Sequence, residues 1–168
     1  MRTLQSLLRA DVSHHVRIAP ARAEDVAAFI ALRGQTRENA VSASRLASAG
    51  ITAGTWSADI RSGLLVGFTA ATPDRIVGYC FGNTATGEVV VLALLPEAEG
   101  QGLGRALLRH VVLALRRRGH RRLFLGCSSD PGVRSYGFYR HLGWRSTGAF
   151  DAHDDEILEL MADEEGDP

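Results

Sequence analysis

Residues 87–119 read GEVVVLALLPEAEGQGLGRALLRHVVLALRRRG, and a change of rhythm inside them decides the fold. Val89 to Leu95 form an unbroken apolar run rich in β-branched residues, the pattern of a strand covered on both faces. Pro96 stops it. From Leu103 onward the spacing is different: Leu103, Leu107, Val111, Ala114 and Leu115 recur at helical intervals. The turn Gly100-Gln101-Gly102-Leu103-Gly104 therefore leads from a strand into a helix. Residues without side chains at a helix N-terminus let several main-chain N–H groups point outward at the positive end of the dipole, which suits a phosphate or pyrophosphate.

Working outward toward the N-terminus, Leu64 to Ala71 and Ile76 to Phe81 read as a hairpin about Pro73-Asp74, and Thr86-Gly87 turns the chain into the central strand. Val16-Arg17-Ile18 is a short strand that Pro20 ends. A helix bearing Val26, Phe29, Ile30 and Leu32 follows, its first turn charged by Glu24 and Asp25. Ser42 caps a short helix through Leu46 that Gly50 closes, and Thr52 caps another, carrying Trp56 and Ile60, that ends at Ser62-Gly63. On the C-terminal side Gly119 closes the long helix, and Leu123-Phe124-Leu125 is a buried strand that joins the sheet as a parallel member. Pro131 starts a helix carrying Val133, Tyr136, Phe138, Tyr139 and Leu142, terminated by Gly143. Trp144 to Phe150 and Ile157 to Met161 are a final strand pair around the acidic turn Asp151 to Asp155. We expect a flexible N-terminal extension at 1–13, one domain over 14–162 and an acidic tail at 163–168.

The chain has 168 residues, 45% of them hydrophobic, enough for one core and too few for two comfortable domains. Its 19 basic and 19 acidic residues cancel, so the overall field gives no reason to invoke nucleic acid or an anionic membrane. Every basic residue is arginine. That excludes a phosphate-binding lysine of the Walker type and any Schiff-base lysine. A dinucleotide fingerprint also fails on spacing, because counting from Gly100 or from Gly102 the third glycine is replaced by Arg105 or Leu107. Cys80 and Cys127 lie in apolar runs without the spacing of a disulfide framework or a zinc site, and His14-His15 and His153-Asp154-Asp155 are too local to form a metal site. We expect no metal. Arg116-Arg117-Arg118 with His120-Arg121-Arg122 reads as a solvated helix end favoured by the dipole, and Leu4, Leu7 and Leu8 are too short a run for a signal-peptide core. A cytoplasmic protein that engages no membrane and no nucleic acid is the expectation.

Two segments in this order, LLPEAEGQGLGRALL at 94–108 and YGFYRHLGW at 136–144, resemble the GCN5-related N-acetyltransferase (GNAT) superfamily, in the form of its small bacterial enzymes. The first is similar to the family's pyrophosphate loop, whose usual pattern is Arg or Gln, two residues, Gly, one residue, then Gly or Ala. The second is similar to the family's helix ending in Phe-Tyr, three residues, Gly and an aromatic. The order of elements extends the resemblance from about Val16 to Met161, and RENAVSASRLASAGITAGTW at 37–56 also resembles a bacterial subgroup, without naming a substrate. The resemblance implies a single α/β (α+β) domain with a mixed, mostly antiparallel sheet of six to seven strands, splayed at the centre and flanked by about four helices. It implies acetyl-CoA as cosubstrate, its pyrophosphate held by backbone amides of Gln101, Gly102, Leu103, Gly104 and Arg105. Leu92 and Leu94 would meet the pantetheine through their main chain, and Tyr139 would protonate the departing thiolate. The chain departs from the family at Glu99, where Arg or Gln is usual, and at Gly132, where a cofactor-contacting Asn is common.

The implied chemistry asks for a base and an acid. A primary amine has a pKa of about 10 and is mostly protonated at neutral pH. Glu88, at the start of the central strand, is the candidate to take that proton, directly or through a water. A solvated glutamate just after a turn is the alternative there, as a buried, backbone-bonded tyrosine is for Tyr139. The leaving thiol, with a pKa of about 8.5, gains from the Tyr139 hydroxyl, and the Leu94 N–H would polarise the carbonyl. The acceptor is expected to be an amine of a small molecule or peptide, the acids of Asp151 to Glu156 hinting at a cation. A CoA-binding sensor or interaction module with the same fold is the alternative. Monomer and homodimer are both open, the edge of the last strands offering one way to pair.

Overall fold

The computed structural model describes residues 15–38 and 40–163; the extension expected at 1–13 and all but the first residue of the tail lie outside them. Seven strands and five helices follow one another: β1 (Arg17–Pro20), α1 (Val26–Arg33), α2 (Ala43–Ser48), α3 (Ala53–Ser62), β2 (Leu65–Ala71), β3 (Ile76–Asn83), β4 (Val89–Leu94), α4 (Leu103–Arg117), β5 (Arg122–Cys127), α5 (Arg134–His141), β6 (Arg145–Phe150) and β7 (Glu156–Met161). Short 3₁₀ turns at Ala23–Asp25 and Pro96–Ala98 introduce α1 and the glycine loop.

The expected mixed sheet takes a particular form. Strands order as β1-β2-β3-β4 in one sheet and β5-β7-β6 in another, each antiparallel throughout. The parallel relation of β4 to β5 is confined to one bridge, Glu88 to Phe124, where the Phe124 N–H donates to the Gly87 carbonyl at 3.3 Å. Beyond it the two strands part. A β-bulge drives the parting: Gly82 pairs with Val89 and Phe81 with Val91, so Val90 is an extra residue in β4. Such an insertion bends its strand and sharpens the local twist. It also sets Val90 and Val91 toward one face, although a regular strand would alternate them.

The two faces of the larger sheet are covered differently. On one, Phe29 of α1, Trp56 of α3, and Tyr79 and Phe81 of β3 make an aromatic cluster with ring centroids 5.0 to 5.8 Å apart. Tilted and edge-on packing of this kind suits the ring quadrupoles. On the other, Leu107, Val111 and Leu115 of α4 are fully buried over Gly78, Cys80 and Gly82. A Cβ at Gly82 would stand 2.8 Å from Val111 Cγ1 and 2.9 Å from Leu115 Cδ1, so the helix rests directly on strand backbone.

The expected caps hold. Ser42 Oγ accepts from the Arg45 N–H at 3.3 Å, and Thr52 and Thr55 exchange side-chain to backbone bonds at 3.2 and 3.0 Å. Two boundaries move, and one side chain does more than expected. Pro20 is the last residue of β1, which as an edge strand tolerates a missing donor. Pro131 does not start α5: Asp130 Oδ1 takes the Gly132 N–H at 2.8 Å in a side-chain turn, Val133 is extended, and the helix begins at Arg134. Arg116 is more than a solvated cation, because its guanidinium donates to the carbonyls of His120, Arg121 and Leu160 and buckles the end of α4 to β5 and β7. Among the described residues no helix is long and apolar enough to cross a membrane.

Candidate functional site

The site is the wedge between β4 and β5, with the start of α4 at one end. The Leu95 N–H donates to the Val77 carbonyl at 2.9 Å, which sets the alternation along β4: Ala93 and Val91 bond toward β3, while the N–H and C=O of Leu92 and Leu94 point to the open edge. Among the described residues, nothing bonds to that edge beyond the Glu88 to Phe124 bridge. Polar main chain left open in this way is a template for an extended partner.

Past Leu94 the chain turns through Pro96–Ala98 into the glycine loop. Gly100 and Gly102 take φ of +73° and +78°, a left-handed conformation that side chains resist, and a Cβ on either would meet nothing within 4 Å. The first helical bond of α4 runs from the Ala106 N–H to the Gly102 carbonyl. The N–H groups of Gln101, Gly102, Leu103, Gly104 and Arg105 therefore donate to no acceptor among the described residues. These five amides at a helix start form an anion cradle. A hollow of about 470 Å³ continues from Gly102 along α4 beside His110 and the positively charged Arg105 and Arg109. The cradle and the open strand edge both fit a long polar cofactor ending in phosphates.

Glu99 marks the departure from the family pattern, and the structure explains what it does. Its carboxylate receives the Arg37 Nε–H at 2.9 Å and the Arg134 guanidinium, while the Arg134 N–H donates to Glu38 at 3.1 Å. Four residues from three segments are thus tied across the front of the loop. Neither arginine was predicted, because nothing local in the sequence relates 37, 99 and 134.

Tyr139 lies on α5 against this wedge. Phe138 and Trp144 contact its ring edge-on at 5.0 and 6.0 Å, and the Trp144 N–H returns to the Tyr139 carbonyl at 3.1 Å, so the buried Trp144 anchors the helix end. Among the described residues the Tyr139 hydroxyl donates to no backbone carbonyl, while its ring is packed as part of the core. Burial, reinforced by the thiols of Cys80 and Cys127, pushes its pKa far up, so it stays protonated at neutral pH. Both cysteines are free and buried, with their own pKa values raised by desolvation, as suits core thiols and not nucleophiles.

Glu88 is half-buried at the joined end of the wedge. Desolvation first and the Asp151 carboxylate second raise its pKa above the usual carboxylate value. Asp151 sits in the β6–β7 turn, its Oδ1 accepting from the N–H of His153 and Asp155 at 2.8 and 3.0 Å. Its other oxygen would be 2.9 Å from a Cβ at Gly126, so the missing side chain on β5 is what lets this acid rest against the strand. The acids of this turn are legible in the sequence; the charge that Asp151 places near Glu88 is not, because it depends on how the turn docks against β5.

The profile of the acetyltransferase (GNAT) family matches residues 21–144. A curated relative, described as an uncharacterized N-acetyltransferase ycf52-like of Prochlorococcus marinus, is 32% identical over 91 residues, which are 54% of this chain and 44% of the relative. The match thus spans less than half the length of that relative. Among solved structures, the PaiA N-acetyltransferase of Thermoplasma acidophilum in complex with coenzyme A superposes with a TM-score of 0.71 at 18% identity, covering 87% of this chain and 98% of that one. The ribosomal-protein-S18-alanine N-acetyltransferase of Escherichia coli superposes with a TM-score of 0.64 at 19% identity, covering 91% and 99%. At these identities the likeness is one of fold.

Proposed function

The chain belongs to the acetyltransferase (GNAT) family, and on that premise we propose that it transfers an acetyl group from acetyl-CoA to a primary amine of a small molecule or peptide. The observation that carries this reading is the convergence of an open strand edge at Leu92 and Leu94 with five unused amides at Gln101 to Arg105. Acetyl-CoA supplies an activated acetyl group as a thioester.

The protein's own work is positioning and proton handling. The amides of Gln101, Gly102, Leu103, Gly104 and Arg105 hold the pyrophosphate, with Arg105 and Arg109 beside them as countercharge. The main chain of Leu94 and then Leu92 guides the pantetheine arm back along β4 toward the bulge. An N–H of this open edge, with Leu94 the first candidate, polarises the thioester carbonyl. Glu88 removes the proton from the incoming ammonium, directly or through a water, and its raised pKa moves it closer to neutral pH, where a base is most useful. Tyr139, kept protonated by burial, gives its proton to the departing sulfur. Holding amine and thioester together supplies much of the rate, as expected for direct attack in a ternary complex.

The reading is tested by calorimetric titration of acetyl-CoA and by following free-thiol release with a panel of amines, amino-acid-like compounds and peptides. Saturable acetyl-CoA binding with amine-dependent thiol release is the expected result. A protein that binds no acetyl-CoA would overturn it.

A further inference from the structure

Glu88 stands where the two sheets meet, and part of what holds it there lies outside the wedge. Among the described residues one main-chain bond joins β5 to the start of β4, from the Phe124 N–H to the Gly87 carbonyl, and at 3.3 Å it is longer than most of its kind. The turn before Glu88, Thr84 to Gly87, is bonded internally. Asn83 Oδ1 accepts from the N–H of Ala85 and Thr86 at 2.9 and 3.2 Å, the Asn83 carbonyl from the Gly87 N–H at 2.9 Å, and Thr86 Oγ1 from the Glu88 N–H at 3.2 Å. A turn bonded in this way is one stiff unit, and Glu88 follows it.

On its outer side Thr84 ties the turn to the Gly63 and Leu64 carbonyls, at 2.7 and 2.9 Å. On the side that faces β5 the holder is His120. Its Nε2 is 2.6 Å from the Thr84 carbonyl oxygen, and because a carbonyl only accepts, Nε2 carries the hydrogen. The ring lies against Gly87, which is buried with φ of +80°; a Cβ there would be 3.1 Å from His120 Nδ1 and 3.0 Å from the Arg122 carbonyl oxygen. The missing side chain lets the ring close over the turn.

His120 is itself held from behind. The Arg116 guanidinium donates to its carbonyl at 2.9 Å and to those of Arg121 and Leu160, and the His120 N–H returns to the Leu115 carbonyl at 3.3 Å. The line of contact runs from Arg116 through His120 to the turn and so to Glu88. A half-buried imidazole with a fixed hydrogen bond and bare main chain beneath its ring is more than the solvated helix end that the run of cations suggests.

We propose that His120 is a positioning residue: by fixing the Thr84–Gly87 turn against β5 it sets the Glu88 carboxylate at the joined end of the wedge, in place to take the acceptor's proton. The inference rests on the reading of Glu88 as base given above. The charged groups about Glu88 are Asp151 and Asp155 over Gly126, and Arg122, which lies over the Phe124 ring at 5.2 Å and is paired with Glu159. The charge that acts on Glu88 is that of Asp151, so a change at His120 reaches Glu88 through position.

The test compares His120→Phe, which keeps a ring without its donor, and His120→Asn, too short to reach Thr84, with His120→Gln, which keeps a donor at similar reach. Two disabling variants are used so that one misfolded protein does not decide the matter. In the full chain Glu88 is titrated by NMR on isotope-labelled glutamate, its signal assigned by its loss in Glu88→Gln. His120→Phe and His120→Asn let the turn drift and water reach Glu88, so its titration falls toward the ordinary carboxylate value, while His120→Gln stays near the wild type. Over the amine panel used for thiol release, the two disabling variants lower kcat by about tenfold with acetyl-CoA affinity unchanged, and His120→Gln recovers most of the rate. In a Glu88→Gln background they cost nothing further. A lower Tm with the Glu88 titration and kcat unmoved would make His120 a brace of the turn alone, and a full second loss in the Glu88→Gln background would mean that it acts elsewhere; either overturns the inference while acetyl transfer stands. If no amine is acetylated, the parent reading falls, and a Glu88 titration that both variants leave in place overturns this one separately.

Discussion

Gly104 and Phe138 meet across the two motif segments: a Cβ at position 104 would stand 3.6 Å from the Phe138 ring carbon Cζ and 3.3 Å from Leu94 Cδ1. The glycine loop, the central strand and the tyrosine helix therefore touch at one point. Gly104→Leu forces them apart, and displacement of a packed neighbour costs about 1–3 kcal/mol. The expected outcome is loss of acetyl-CoA affinity by about tenfold or more in calorimetric titration. Normal affinity would remove the loop from cofactor binding.

Glu99 is the anion nearest the loop's entrance, and both its partners are arginines whose side chains are 56% exposed. Glu99→Gln removes a negative charge and releases two positive ones toward the phosphates. Both changes act in the same direction. Exposed ion pairs are worth only about 0–1 kcal/mol, so acetyl-CoA affinity is expected to rise a few-fold at low salt and converge with the wild type at high salt. A fall in affinity would instead make the Arg37–Glu99–Arg134 tie a prerequisite of the site.

Tyr139→Phe keeps the ring in its edge-on contacts with Phe138 and Trp144 and deletes only the acid. General acid catalysis typically contributes about 10²–10⁴-fold, so kcat is expected to fall by about a hundredfold with acetyl-CoA affinity nearly intact. A thiolate with a pKa of about 8.5 can leave unaided more readily than an alkoxide, which favours the lower end of that range. An unchanged kcat would take Tyr139 out of the mechanism.

How much of this was legible in the sequence follows from the range of each cause. The helix caps, the strand-to-helix change at Gly100 to Gly104 and the helical placement of Phe138 and Tyr139 are local signals, and these read correctly. The bulge at Val90 was not legible, because an all-apolar run such as Val89 to Leu95 has no alternation whose interruption could be noticed. The pairing of Glu99 with Arg37 and Arg134, and of Asp151 with Gly126, depends on where separate elements dock. Pro131 misled by its type: proline favours a helix start, but Asp130 claimed the Gly132 N–H first and delayed α5 to Arg134.

Gly82 offers a test of the fold that leaves the cofactor loop and its chemistry alone. Position 82 is on β3, and Ala there would place a Cβ 2.8 Å from Val111 Cγ1, a β-branched side chain held in the middle of α4. The strand or the helix has to yield, at about 1–3 kcal/mol, which for a domain of this size lowers Tm by about 2–10 °C in calorimetry. An unaltered Tm would mean that α4 does not lie on bare backbone there.

The acid limb of the rate profile tests Glu88 and its neighbour together. A base works only when deprotonated, so the limb of kcat/KM follows the Glu88 pKa, which burial and then the Asp151 charge hold above the ordinary carboxylate value. Glu88→Gln should lower kcat/KM and erase that limb. Asp151→Asn removes a like charge and lowers the Glu88 pKa, so the limb moves to lower pH while the plateau survives. The sign is what discriminates. If Asp151 merely supported the turn through His153 and Asp155, its replacement would reduce rate or stability without displacing the limb, and if a water-borne proton were taken by another group, neither substitution would displace it.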